Sequence, residues 1–366
     1  MEKKSKARLI AYYLPQFHPI PENDEWWGKG FTEWVNVAKA KPLFRGHYQP
    51  HIPADLGFYD LRLSETRTAQ AKIAEEHGIE GFCYWHYWFA GKRLLERPFN
   101  EVLKAKEPKF PFCLGWANES WTGIWHGCAD RMLIEQTYAG IQDEEAHFNA
   151  VLEAFFDNRY ITVEGKPVFY IYKPHNLPDS KGFIERWNNW AIKAGLKGIH
   201  FIGENDTSEW NPQDDGFDAL VENIGVTFQR MIMYHSLPVK LFNIIRYYNI
   251  NVRLNRPIIF SYKAFINCAL NNLNNDFLQY PCVLPNWDTT PRCNGRGYVL
   301  TDSTPELFRI YLRRAIDQVS QRAFDKRLIF IKSWNEWAEG NHLEPDKQFG
   351  RGYLEVCRDE NNNNEK

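Results

Sequence analysis

Eight short apolar, aromatic or β-branched runs recur along the chain, at residues 9–17, 81–88, 110–118, 167–174, 199–205, 217–222, 281–288 and 328–336. Helix-period segments lie between several of them. Such alternation is the pattern of a parallel sheet, because parallel neighbours need a crossover long enough to hold a helix. Phe148, Val151, Leu152, Phe155 and Phe156 form one apolar stripe, and Phe183, Trp187, Trp190, Ala191 and Ala194 form another that ends at Gly195. Thr304-Pro305-Glu306 reads as an N-cap, a proline at the first helical position and a first-turn acid. Residues 65–77 form a further helix stopped by Gly78. Eight strands with intervening helices predict an α/β fold, a (β/α)8 TIM barrel more than a doubly wound sheet. The whole length, 1–366, is then one catalytic barrel with a long insertion at about 224–279, between strands 6 and 7.

Composition narrows the function. With 44% hydrophobic residues the chain can bury a full core, which excludes disordered and fibrous classes. Forty-four basic against 46 acidic side chains give a net charge of −2, so no nucleic-acid partner is expected. The seven cysteines are odd in number and lack a C-x-x-C pair; Cys83, Cys113 and Cys282 fall in apolar runs and read as reduced core thiols. The apolar run after the basic start is too short for a spanning helix and leads into Pro15-Gln16-Phe17-His18 without a cleavage site. A cytoplasmic protein is expected, with the sequons at Asn118 and Asn205 carrying no glycan.

The chain carries 14 Trp, 18 Tyr and 25 Phe. Aromatics in such number either fill a large core or offer flat faces to ligands such as sugars, and their positions decide between the two. In barrels of this kind chemistry sits where strands end, and the ends here are polar and aromatic throughout. They give Gln16 and His18; Trp85, His86, Tyr87 and Trp88; Trp116, Asn118 and Trp121; Tyr172; Glu204; Trp287 and Asp288; and Trp334-Asn335-Glu336-Trp337-Ala338-Glu339. A carbohydrate cleft is the expected result.

Within it, Glu336 and Glu339 are the sharpest pair. Two carboxylates three apart on a helical turn have Cβ atoms about 5–6 Å apart, near the roughly 5–5.5 Å separation of retaining glycosidases. Close like charges also push two pKa values apart, leaving one group as acid and one as base. Three other features are weaker. His47 and His51 have i, i+4 spacing but lie in a segment holding Pro50 and Pro53, so they read as loop histidines, and no metal or cofactor is expected. Residues 292–297 form a basic glycine loop, either phosphate-binding or a mobile solvent loop. The insertion interleaves Arg230, Lys240, Arg246, Arg253, Arg256 and Lys263 with Tyr234, Phe242, Tyr247 and Tyr248. It is either a helical excursion packed on the barrel or a surface for peripheral membrane contact.

These segments resemble a known family. Tyr12-Tyr13-Leu14-Pro15-Gln16-Phe17-His18, Phe31-Thr32-Glu33-Trp34-Val35-Asn36-Val37, Gln49-Pro50-His51 and Cys83-Tyr84-Trp85-His86-Tyr87-Trp88 occur in order. Trp116-Ala117-Asn118-Glu119, Trp287-Asp288 with Thr290-Pro291-Arg292, and Trp334-Asn335-Glu336-Trp337-Ala338-Glu339-Gly340 follow. Together they look like WbsX-like proteins of O-antigen and other surface-polysaccharide clusters, a group related to glycoside hydrolase family 99. The resemblance implies a (β/α)8 barrel acting at glycosidic bonds and adds Glu33, Trp34 and Arg292 to the substrate contacts, with Asn335 and Trp337 beside the catalytic pair. In hydrolase relatives, endo-acting on α-1,2-linked mannose glycans, the first Glu of Asn-Glu-Trp-x-Glu is a base on the sugar 2-hydroxyl and the second a general acid. Those roles pass to Glu336 and Glu339, with a 1,2-anhydro sugar as intermediate. The x position is Ala338, where the hydrolases often have His.

The leading expectation is a glycosyltransferase of O-antigen, lipopolysaccharide or other surface-polysaccharide assembly, cytoplasmic or at the inner membrane face, acting on an oligosaccharide or lipid-linked glycan. The alternatives are an endo-acting glycoside hydrolase and a non-catalytic glycan-binding barrel.

Overall fold

The computed structural model describes residues 5–123, 128–205, 210–234, 253–270 and 276–362. The sequons' Asp206 and Thr207, most of the insertion (including Lys240, Phe242, Arg246, Tyr247 and Tyr248) and the end of the Asn-rich tail lie outside the described residues.

All eight runs are strands of one parallel sheet: β1 (Arg8–Tyr13), β2 (Gly81–Phe89), β3 (Phe112–Trp116), β4 (Lys166–Ile171), β5 (His200–Asn205), β6 (Ala219–Glu222), β7 in two pieces (Gln279–Tyr280 and Cys282–Val283) and β8 (Leu328–Ile331). Neighbours follow chain order, and β1 closes the ring by pairing Arg8–Ala11 with Leu328–Ile331 of β8. The seventh strand is shorter than expected and broken at Pro281. Proline has no N–H to give the ladder; Gln279 and Tyr280 pair with β6, while Cys282 and Val283 pair with β8. Pro281 still accepts from Phe330 N at 2.9 Å, so the break does not open the barrel.

The barrel is filled, as strands buried on both faces require. Tyr12 stacks on Trp85 (5.0 Å) and Phe330 (5.3 Å), and Tyr170 closes the group edge-on to Tyr12 (5.3 Å). Helices cover the outside where the stripes placed them. Ile141–Phe155 buries Phe148, Val151 and Phe155, although Phe156 lies past its end and is exposed. Ser180–Lys193 buries Phe183, Trp187 and Ala191. Pro305–Val319 is capped by Thr304 Oγ1, which accepts from Leu307 N at 3.3 Å. Ser64–Glu76 ends before Gly78, which takes a left-handed φ of 76°. Cys83 and Cys113 face each other across β2 and β3 as buried free thiols.

The described part of the insertion is a helical excursion. Helix Ile224–Tyr234 and helix Tyr262–Cys268 bury Val226, Phe228, Met231, Tyr262 and Phe265, and strand Ile258–Ser261 pairs in parallel with Tyr298–Thr301.

Candidate active site

The chain turns directly after β8. Asn335–Glu336 is a two-residue strand paired with Asn341–His342, and Trp337–Glu339 is a single 3-10 turn closed by Gly340 at φ 66°. A Cβ on Gly340 would stand 2.9 Å from Asp288 Cβ, so both its conformation and its contact require glycine. The turn is fixed at several points. Asn335 Oδ1 accepts from Leu14 N (2.8 Å) while its Nδ2 donates to Leu14 O (3.0 Å), which ties β8 to β1. Glu344 accepts from Trp337 Nε1 (2.6 Å), Tyr59 Oη (2.8 Å) and Gln70 Nε2 (2.6 Å); burial pushes its carboxyl up to about 7 against those bonds.

The turn delivers Glu336 and Glu339 to the floor of a cleft of about 520 Å³ at the C-terminal end of the strands, within the usual range of ligand pockets. Arg292 lies between the carboxylates. Its Nη1 is bonded to Glu339 and stands 3.5 Å from Glu336 Oε1, and its Nη2 is 3.2 Å from Glu33 Oε2. A shared guanidinium nitrogen brings one oxygen of each carboxylate within roughly 6 Å of the other, which is compatible with the close pair of a retaining site. Glu336 also accepts from Ser333 Oγ at 3.0 Å. Burial and then Glu336 raise Glu339, Arg292 and Lys332 act against them, and the carboxyl is left pushed up to about 7. Glu339 is therefore the group poised to hold a proton near neutrality.

Lys332, on the cleft floor, was not singled out in the sequence. Burial opposes its charge, but Glu204, Glu336 and Glu339 outweigh it and the ammonium is stabilised. It lies 5.4 Å over the Trp287 ring and 5.8 Å over that of Tyr172.

Of the residues expected from sequence, Gln16, Glu33, Tyr87, Trp121, Tyr172, Trp287 and Arg292 line the cleft with Glu336 and Glu339. The others do not. Side chains alternate along a strand, so β2 sends Trp85 and Tyr87 inward and His86 and Trp88 outward. His86 Nε2 is 2.8 Å from His147 Nε2 on the covering helix, Trp88 stacks on the same imidazole at 4.8 Å, and Trp116 packs against His147 and Phe183. Asn118 staples β3 to β4, accepting from Lys173 N (2.7 Å) and donating to Lys173 O (2.8 Å). Glu204 is buried under the floor, bonded to Tyr170 Oη at 2.6 Å and to Asn223. Asp288 accepts from Gln49 Nε2 and pairs with His47 Nε2, each at 2.7 Å. His18 is buried away from the cleft, and Trp34 and Trp337 pack together at 5.7 Å behind the turn, where Asn335 also sits. These residues build the site without facing it.

The reverse omission is the insertion. Ile224, Gly225, Phe228 and Gln229 form a wall of the cleft, with Trp27, Trp85 and Glu119 on other sides. Nothing in the insertion's sequence marks these four as lining, since their place depends on how its first helix packs. In the 292–297 segment Arg292 is committed to three carboxylates, Gly295 packs so closely on the Asn255 backbone that a Cβ would stand 2.6 Å from its Cα, and Arg296 lines the cleft.

A closed parallel barrel with paired glutamates in an aromatic-walled cleft is the architecture of a carbohydrate-active enzyme. Comparison with known proteins agrees. Residues 9–357 match the family described as Glycosyltransferase WbsX, and the chain belongs to that family. It is 39% identical over 358 residues to the uncharacterized protein WxcX of Xanthomonas campestris pv. campestris strain B100, covering 96% of this chain and 49% of WxcX, so it spans about half the length of that relative. Two solved structures share its fold. One is a glycoside hydrolase-like protein (15% identical, TM-score 0.60, 99% of this chain and 96% of that one). The other is the family 99 endo-α-mannosidase of Bacteroides thetaiotaomicron (16% identical, TM-score 0.55, 96% and 95%). The expected barrel and the expected family are both found.

Proposed function

We propose that the chain is a retaining glycosyltransferase of surface-polysaccharide assembly, with Glu339 as general acid and Glu336 as base. The observation that carries this reading is the close pair: one guanidinium touches both carboxylates, while burial and the neighbouring charge push Glu339 up to about 7, where it can hold or release a proton near neutrality. In the proposed reaction Glu339 gives its proton to the departing glycosidic oxygen and Glu336 takes the proton of the sugar 2-hydroxyl. The 2-oxygen closes on the anomeric carbon. An acceptor hydroxyl then opens the 1,2-anhydro ring, losing its proton to Glu339 as the 2-oxygen recovers one from Glu336, with retention overall.

Trp85, Trp121 and Trp287 supply flat faces for sugar rings, and Gln16, Glu33 and Glu119 supply polar partners. A lipid-linked acceptor at the inner membrane face belongs to the same proposal. No helix among the described residues is long and apolar enough to cross a membrane.

The test is incubation with lipid-linked oligosaccharide and, separately, with free mannan fragments. Chain extension without reducing-end release is expected; release with water as sole acceptor would replace the transferase reading by a hydrolase. Glu336→Gln and Glu339→Gln should each lower turnover by about 10³-fold or more. Unchanged turnover in either variant rules out the two-carboxylate mechanism.

A further inference from the structure

On the far side of the Trp337–Glu339 turn lies a second cavity of about 360 Å³, lined by the 44–48 loop, the 299–303 strand end and the 346–349 segment. It touches neither catalytic glutamate. Three of its lining residues come together: His51, His342 and Asp346 are all buried, and one donor atom from each lies within 4.8 Å of the others. Main-chain contacts hold them there. Pro53 bridges to Asp346, Lys347 N donates to Ile52 O at 2.9 Å, and Ala54 N donates to Pro345 O at 2.9 Å.

Two features separate this group from an ordinary buried polar cluster. First, Nδ1 of His51 has no hydrogen-bond partner although the ring is buried, which is uncommon unless an ion or water completes the site. Nearby His47 shows the contrast. Its Nδ1 accepts from Leu43 N at 3.0 Å and its Nε2 is bound to Asp288 at 2.7 Å, which leaves it nothing for a ligand. Second, the spacing suits coordination. His342 Nε2 stands 3.3 Å from Asp346 Oδ2, close to the roughly 3.4 Å edge of a tetrahedron with bonds of about 2.1 Å. These two atoms hydrogen-bond to each other, a contact that a bound ion would replace, while Gln348 N (2.9 Å) and Phe349 N (2.6 Å) donate to the other oxygen of Asp346.

We propose that His51, His342 and Asp346 bind one divalent transition-metal ion of the zinc type. Two imidazoles and one carboxylate favour zinc, cobalt or iron over the oxygen-seeking magnesium and calcium, and the cavity leaves room for solvent at the remaining position. The role is structural. Trp337 stacks on the His342 ring at 3.7 Å, and Asn335 and Glu336 pair with His342 and Asn341, so an ion here would brace the catalytic turn from behind. In the sequence the spacing of His47 and His51 reads as that of loop histidines, with no metal expected; the proposed partners of His51 lie near the other end of the chain.

Chelator-stripped protein, reloaded with zinc chloride and desalted, should retain one zinc per chain by atomic emission. His51→Gln and Asp346→Asn should each retain less than a tenth of that, while His47→Gln retains it. Zinc should raise the Tm of the wild-type chain by several degrees and leave that of the two ligand variants unmoved; magnesium chloride should have no effect on any of them. X-ray absorption at the zinc edge of the wild-type chain, which needs no variant to fold, should show two imidazoles per metal. Substoichiometric zinc, equal retention in the ligand variants, an equal response to magnesium, or a spectrum without paired imidazoles would overturn the site.

Discussion

Arg292 limits how far Glu339 is raised. Buried among Glu33, Glu336 and Glu339, it opposes the burial and the neighbouring charge that raise Glu339. Because Glu339 must be protonated to act as an acid, transfer should fall as pH rises through about 7. The same raised pKa favours the folded state at lower pH, since the native carboxyl keeps its proton where the unfolded one has lost it. Arg292→Gln removes the opposing cation and should move the alkaline limb upward, lower turnover by about 10²-fold and destabilise the chain by about 3–5 kcal/mol, because three buried carboxylates lose their partner. Arg292→Lys keeps the charge without the fork and should leave the limb nearly in place. A pH–rate profile of both variants, with urea melts, checks this; a limb that stays put in Arg292→Gln would remove Glu339 as its source. Some of this was legible beforehand: the Glu336–Glu339 spacing identified the pair, and Arg292 came from the motif beside Trp287. Lys332 was not legible, because in an all-apolar run the phase of the pleat cannot be read and a lysine there looks like a strand end.

At the scale of elements the same ambiguity explains the misplaced aromatics. The run Trp85-His86-Tyr87-Trp88 is aromatic on both faces, since one face meets the cleft and the other meets helix Ile141–Phe155. Alternation says that two of the four face away without saying which two. The helix stripes carried no such doubt, because a stripe has only one apolar side, and Trp187 shows how much rests on them. Fully buried, it packs on Phe169 of β4 (4.9 Å), Phe183 (4.9 Å) and Phe148 (5.4 Å). Trp187→Ala should cost about 3–5 kcal/mol in denaturant melts, yet leave turnover per folded molecule unchanged, since none of the rings it packs on lines the cleft. Loss of turnover at unchanged stability would contradict the separation of helix layer from cleft.

For the whole molecule, barrel closure was readable from the count of runs, but the character of the 224–279 excursion was not, because its basic and aromatic residues suit a packed wall and a lipid surface equally. Its described part packs on the barrel and walls the cleft, while Arg253, Arg256 and Lys263 remain exposed. If that face also meets the membrane, the chain should sediment with anionic vesicles at low salt and be released as the ionic strength rises past about 0.15 M. Absence of sedimentation at low salt removes the membrane contact. The closure of β1 against β8 through Asn335 and Leu14 also orders events during synthesis. A nascent chain emerges with Glu33 early, Arg292 late and both catalytic glutamates after it, and its first strand waits for the eighth. On the proposed mechanism the chemistry therefore waits on closure of the ring, because Glu336 and Glu339 follow β8 directly and meet Glu33 and Arg292 only there.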